Sequence, residues 1–284
     1  MDQGTVFSSS SQGADPGLSR LLDAAGLPER IGGQDVILIK PNLVEALPPP
    51  ITTPVELVAA LVRYLRKRSA AEIIIAEGTA ALHYETDHCF AQLGYTRLAA
   101  ELRVPLLDLN QEPSVALSSE RCLRWPRMQL PRIALESFLL SVPVLKAHTL
   151  ARVTLTMKNM MGLPPPDHYQ QGGGWKKSAF HGEIHAAIAD LNRYRSPDFT
   201  LLDASTGMAE AHLWGRHCQP PVGRLVASAD PVATDAYGAE LLGKDWQEID
   251  HIRMVHRELG QASPLRLVEV DSSRCTPNKN NATG

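Results

Sequence analysis

Short apolar runs alternate with helical patterns along most of this chain. Val36 to Lys40 (VILIK) is a continuous apolar run stopped by Pro41, and Glu72 to Glu77 (EIIIAE) is another, stopped by Gly78. Further runs lie at Pro105–Asp108, Phe138–Val144, Phe199–Asp203, Leu225–Ala229 and Leu265–Val270. Between the first two, Val55, Val58, Val62 and Leu65 recur at helical spacing. Thr53 precedes them as an expected N-cap, with Pro54 at the first helical position, Glu56 three residues after the cap and basic residues at the far end. Helical patterns also cover Cys89–Arg103, His181–Tyr194, Pro231–Leu242 and Asp250–Leu259. Strands apolar on both faces, alternating with helices, predict an α/β fold: a layered helix–sheet–helix with a mostly parallel sheet. The stretch 114–135 fits the alternation poorly and is expected to be a small antiparallel excursion. Residues 1–17 and 276–284 are polar and without periodicity, and read as disordered tails around one α/β domain over 18–275.

Composition removes several function classes. Lys+Arg total 28 against 31 Asp+Glu, a net charge of −3, with no basic block of the kind that nucleic-acid binding requires. No apolar run reaches membrane-spanning length, and the opening MDQGTVFSSSSQGADPG has neither the basic start nor the apolar centre of a secretion signal. These features predict a cytoplasmic protein bound neither to a membrane nor to nucleic acid. Cys89, Cys122, Cys218 and Cys275 are isolated, so a zinc ribbon, a thioredoxin-like motif and an iron–sulfur cluster are not expected. No GxGxxG follows a strand, and neither GxxxxGK[ST] nor GxSxG occurs.

Lysine is the informative residue. There are 8 Lys against 20 Arg, a bias compatible with a high-GC bacterial source, yet lysines sit at the ends of apolar runs. Parallel α/β sheets place ligands beyond the carboxyl ends of their strands. Those positions hold Lys40 and Asn42, Glu77, Lys146 and His148, Asp203 and Asp230. Lys158 lies in the otherwise apolar TLTMKNMMG, where a cation is costly unless it is paired or faces a wet cleft. The plain alternative is that each lysine reaches the surface or pairs with Glu77, Asp203 or Asp230.

The segments VILIKPNLV, TTPVELVAALV, VPVLKAHTLARVTLTMKNMMG, FTLLDASTGMAE and LVASADPVATDAYGAELLG, with the His181 region between, resemble in order the uncharacterised family catalogued as domain of unknown function 362. The resemblance runs over roughly Val36 to Gly243. It implies that Lys40, Asn42, Lys146, His148, Lys158, Asn159, His181, Asp203, Asp230 and Asp235 occupy the family's motif positions. It assigns no reaction. Many relatives carry an appended ferredoxin-like segment with clustered cysteines, which this sequence lacks.

The expected function is an enzyme acting on a small anionic metabolite (a carboxylate, phosphate or sulfate) by lyase, isomerase or intramolecular displacement chemistry. In this reading His181, His148, Lys158, Asp203 and Asp235 are the catalytic candidates, with Lys40, Asn42, Lys146, Asn159, Lys176 and Lys177 binding substrate. Lys176 and Lys177 belong to a long loop, Pro164 to Ala179, in which Gly172–Gly174 could act as a hinge and Trp175 could help close over an anion. Glu210 and His212 read as rim residues. No cofactor is expected. One alternative is a metal-dependent enzyme in which His181 and His185, at i and i+4, share a divalent metal. Another is a non-catalytic accessory subunit working with a partner enzyme, or a homo-oligomer.

Overall fold

The computed structural model describes residues 3–11 and 15–270. Its strands are β1 (Thr5–Ser10), β2 (Val36–Pro41), β3 (Glu72–Glu77), β4 (Leu106–Asp108), β5 (Ser114–Ser118), β6 (Arg127–Pro131), β7 (Phe138–Val142), β8 (Val144–His148), β9 (Arg152–Thr154), β10 (Phe199–Met208), β11 (Arg224–Ser228) and β12 (Arg266–Glu269). The helices are α1 (Asp15–Ala24), α2 (Leu27–Ile31), α3 (Val55–Arg66), α4 (Thr86–Gln92), α5 (Tyr95–Leu102), α6 (Arg132–Glu136), α7 (Thr156–Asn159), α8 (Ile184–Tyr194), α9 (Pro231–Leu241) and α10 (Asp250–Val255).

Ten strands form one sheet with the order β12-β1-β11-β10-β7-β2-β3-β4, and β8 and β9 extend from the far half of β10. β2, β3, β4, β7, β8 and β10 pair in parallel, while β11 is antiparallel to β10 and to β1. Successive residues of a strand point to opposite faces, and the packing follows that rule. Ile37, Ile39, Ile73, Ile75 and Leu140 join Leu21, Leu61 and Leu65 in one core layer. Leu38, Ile74 and Leu139 face Phe180, Ala187 and Leu191 on the other side, and Leu202 and Val226 face Val232, Ala236 and Ile252 there. This is the expected helix–sheet–helix layering. The stretch 114–135 is the antiparallel pair β5–β6 followed by the start of α6. No helix among the described residues is long and apolar enough to cross a membrane.

Several local expectations change. The single run Phe138–Val144 is two strands, because Pro143 interrupts it: β7 pairs β2 and the start of β10, then β8 moves along to the end of β10. Thr53 does not cap α3. Pro54 stands at the N-cap, and the Thr53 hydroxyl donates to the Val142 carbonyl at 2.6 Å while accepting from the Asn42 amide at 2.8 Å. The loop after β2 is thereby tied to the end of β7.

The N-terminal tail is also corrected. Thr5–Ser10 is a strand lying between β11 and β12, and Asp15–Gly17 begins α1. The serines that read as a tail fit there because they are small: Ser8 and Ser9 are buried in the sheet. The expected tail over 276–284 lies outside the described residues.

Asp230 locks this N-terminal strand in place. Its carboxylate caps α9 through the Ala233 amide at 2.9 Å, and also accepts from the Gly4 and Gln261 amides at 2.9 Å each. The expected Asp-Pro helix start is present, and it joins three segments remote in sequence. Asp230→Ala strands three backbone donors and is expected to destabilise the protein by about 3 kcal/mol in urea unfolding. An unchanged midpoint would show that water replaces the carboxylate without loss.

Candidate active site

The sheet places the site. From β2 the chain steps outward through β3 and β4, then returns to β7 on the other side of β2. The carboxyl ends of β2 and β7 therefore flank a topological switch point, where open parallel sheets leave a crevice. A cleft lies there, lined by Asn42, Glu77, Lys146, His148, Thr154, Lys158, Asn159, Trp175, Lys176, Lys177, His181 and His212, among others.

Its floor is a buried polar network. Lys40, with no exposed surface, donates to Glu77 Oε1 at 2.6 Å. The same carboxylate accepts the Gly78 amide at 2.8 Å and the Leu43 amide at 3.0 Å. Asn159 Nδ2 donates to the Lys40 carbonyl at 3.3 Å and to Ser141 Oγ at 3.0 Å, and its Oδ1 accepts from Asn42 Nδ2 at 3.0 Å. Asn42 Oδ1 in turn accepts from Lys146 Nζ at 3.2 Å, and Lys146 also donates to the Ile51 carbonyl at 2.5 Å. Lys40 thus takes the plain alternative raised for these lysines: it is paired and lies beneath the cleft rather than in its wall. Glu77 is the partner that the end of β3 offered.

Two glycines make this floor possible. A Cβ on Gly162 would fall 2.1 Å from Glu77 Oε1, and one on Gly78 would fall 2.4 Å from the Gly162 carbonyl. Neither position tolerates a side chain while the ion pair keeps its geometry.

The remaining lysines differ in their partners. Lys176 is held by Glu85 Oε2 at 2.5 Å and by the Tyr84 carbonyl at 2.8 Å. Lys177 donates only to the carbonyls of Gly78, at 3.0 Å, and Gly162, at 2.9 Å, and burial lowers its pKa to about 7. Lys146 has no carboxylate either, and burial followed by the charge of Lys158 pushes it well below the ordinary lysine value. Lys158 makes no hydrogen bond and no ion pair with the described residues, and desolvation alone brings it to about 8. Lys146, Lys158 and Lys177 therefore share a cleft whose one lining carboxylate already serves Lys40.

Three histidines stand beside Lys158. His148 ends β8, and its Nδ1 accepts from the Leu150 and Ala151 amides at 3.1 and 3.0 Å, which leaves any ring proton on Nε2. Its ring stacks on that of His212, with centroids 4.0 Å apart. His212 Nδ1, His181 Nδ1 and Thr154 Oγ1 are buried without a hydrogen-bond partner among the described residues. Burial, then the Lys158 charge, lowers all three histidines, His212 to about 4. All three are neutral at pH 7, and His181 and His212, with Nδ1 unengaged, keep a ring nitrogen that can take a proton, whereas both nitrogens of His148 are occupied.

Several candidates lie elsewhere. Asp203 opens on the face covered by α1 and α3, in a groove with Leu18, Pro54 and Leu57, and its carboxylate accepts the Ser205 amide at 2.9 Å. Asp235, on α9, accepts the Thr156 and Met157 amides at 2.8 and 3.1 Å, and burial raises its carboxyl to about 8. It positions the turn carrying Lys158 and Asn159 instead of meeting a substrate. Neither aspartate lines the cleft, so neither is placed for direct catalysis.

The His181–His185 metal pair is also corrected. α8 begins only at Ile184, His181 belongs to the 3-10 turn Ser178–Glu183 before it, and the i,i+4 helical face does not exist. His185 Nδ1 instead lies 2.9 Å from His251 Nδ1, outside the lysine cleft. Among the described residues no three His, Cys, Asp or Glu side chains converge as metal ligands.

The long loop is anchored as one wall. Tyr169 and Phe180 stack 4.6 Å apart at its base, the Ala179 amide donates to the Tyr169 carbonyl at 2.9 Å, and Gly172–Gly174 are exposed at its tip. His212, a rim residue by sequence, lines the cleft itself, as does Thr154, which gives no sequence signal. Gly78 and Gly162 were visible only as the ends of apolar segments. Glu210 is exposed and paired with Arg216.

No curated protein matches this chain. Among solved structures, one from Thermotoga maritima, a Northeast Structural Genomics Consortium target, is similar at a TM-score of 0.47 and 14% identity, over 81% of this chain and 60% of that one. This chain thus spans only 60% of that neighbour's length. The family described as domain of unknown function (DUF362) matches residues 37–240. That span holds both strands of the buried ion pair and every lysine and histidine of the cleft, and the chain belongs to the DUF362 family.

Proposed function

We propose that this protein is a cytoplasmic enzyme that binds a small anionic metabolite in the lysine cleft and acts on it by lyase, isomerase or intramolecular displacement chemistry. The observation that carries this reading is Lys158, an amine held in a cleft with two further lysines, Lys146 and Lys177, that no carboxylate answers. A carboxylate, phosphate or sulfate supplies the missing negative charge. Once it is bound, Lys146, Lys158 and Lys177 regain protons and donate to its oxygens, stabilising charge that develops on a leaving group or an enolate. His181 and His212, neutral and with Nδ1 unengaged, are the candidate bases. Asn42 and Asn159 hold Lys146 and the Lys158 turn in register beneath the substrate.

An unpaired, desolvated amine has a stability cost. The Lys158 pKa is lower in the folded than in the unfolded chain, so this group disfavours folding fully below pH 8 and progressively less up to its ordinary value of 10.5. Lys158→Met is therefore expected to raise stability by about 2 kcal/mol at neutral pH while abolishing stabilisation by sulfate or phosphate relative to chloride at matched ionic strength. Thermal-shift titrations of the two proteins side by side test both parts. Wild-type protein that does not discriminate sulfate or phosphate from chloride would remove the anion site.

Anion binding must also take up protons. With Lys158 at about 8 and Lys177 at about 7 in the empty cleft, sulfate binding at pH 8 is expected to absorb protons, and affinity should fall as pH rises through this range. Calorimetry in buffers of different ionisation enthalpy reads the uptake directly. Proton release on binding would contradict the assignment.

His181 offers a third check. Once a turnover assay exists, His181→Gln is expected to lower kcat about 100-fold or more with anion affinity nearly unchanged. Full turnover in that variant would exclude His181 as the base.

A further inference from the structure

The cleft contains more than an anion clamp needs. Lys146 and Lys177 are both tethered, one to Asn42 and the Ile51 carbonyl, the other to the carbonyls of Gly78 and Gly162. Their side chains are thereby fixed in position along the cleft. Lys158 has no tether. Beside it lie His181 Nδ1, His212 Nδ1 and Thr154 Oγ1, buried polar atoms that no group among the described residues satisfies. Such orphaned atoms are uncommon in buried positions and call for a ligand or a catalytic role. An untethered amine beside fixed amines and unengaged proton acceptors is what a lysine nucleophile requires.

We infer that Lys158 forms a Schiff base with a carbonyl-bearing acid, a keto or aldehyde acid whose carboxylate or phosphate is held by Lys146 and Lys177. This rests on the anion-site reading and names its substrate class. A lysine ordinarily stays protonated and inert at neutral pH. Here its pKa of about 8 leaves an appreciable neutral fraction. The neutral Nζ attacks the carbonyl carbon, the carbonyl π electrons move onto oxygen, and a proton passes from nitrogen to that oxygen to give a carbinolamine. Loss of the hydroxyl as water, with one further proton transferred to it, leaves the imine. The balance is amine plus carbonyl to imine plus water, with no change of oxidation state. The protonated imine then withdraws electrons from the neighbouring carbon, so that a neutral histidine can remove a proton there or a β leaving group can depart. This gives the lyase or isomerase chemistry a defined electron sink.

The test uses glyoxylate as the probe, with sodium cyanoborohydride to trap an imine by hydride transfer, near the Lys158 pKa of about 8. Peptide mapping is expected to find the reduced adduct at Lys158 in preference to the exposed Lys67. Added phosphate should suppress it, and acetaldehyde, which lacks the acid, should show a much weaker preference that phosphate does not change. Lys158→Arg keeps the charge but cannot form an imine, so it should lose the adduct and retain stabilisation by sulfate. Labelling spread equally over Lys67 and Lys158, or absent from Lys158, while sulfate still stabilises wild-type protein, overturns the Schiff base and leaves the anion site standing. Absence of both labelling and sulfate stabilisation overturns the two together.

Discussion

The site depends on one buried ion pair, Lys40 with Glu77. An ammonium and a carboxylate withdrawn from water are costly unless the geometry is close and the remaining polar capacity is filled. Here the carboxylate takes two backbone amides besides the lysine, one from its own turn and one from the loop after β2. The pair thereby fixes the ends of β2 and β3 and the loop between β2 and α3. Asn159 and Asn42 extend the order to the Lys158 turn and to Lys146. Because Glu77 is answered by Lys40, it leaves Lys146, Lys158 and Lys177 without a carboxylate partner. The structural bond and the unanswered lysines of the cleft are consequences of the same arrangement.

A division of labour among the charged groups follows. Lys40, Glu77 and Asp235 are spent on architecture: the first two bind strand ends together, and the third holds the amides of Thr156 and Met157 from α9. Lys146 and Lys177 are fixed but not neutralised. Lys158 is neither. Position along the chain alone does not sort these roles: Lys40, Glu77 and Lys146 all lie at the carboxyl ends of strands, yet only the first two are paired with each other. What separates them is whether a buried partner already answers the charge.

Much of the fold was legible because burial on both faces leaves a simple record. Ile37 to Ile39 and Ile73 to Ile75 are apolar at consecutive positions, which only a sheet covered on both sides demands. β1 left no such record: its buried serines resemble those of a polar tail, and only the pairing with β11 and β12 distinguishes them. The lysines and His148 of the cleft were legible because cations are rare in apolar surroundings. Asp203 and Asp235 misled because neighbouring residues of a strand or helix can face different layers, and the sequence does not say which face holds the ligand. His181 and His185 misled for a related reason, since the helix that would align them starts three residues late.

The placement of β1 also orders events in time. It is made before the other described strands, yet its two neighbours, β11 and β12, are made more than two hundred residues later, and the contact of Gly4 with Asp230 spans 226 positions. Closing so long a loop carries a large entropy cost before any contact rewards it. During synthesis β1 has no strand to join while β2, β3 and β7 assemble the floor of the cleft, so the interior of the sheet can form before its outer edge. That edge cannot be completed before β11 and β12 are made, and until β1 pairs with it β11 offers an open row of backbone donors and acceptors to any other extended chain nearby.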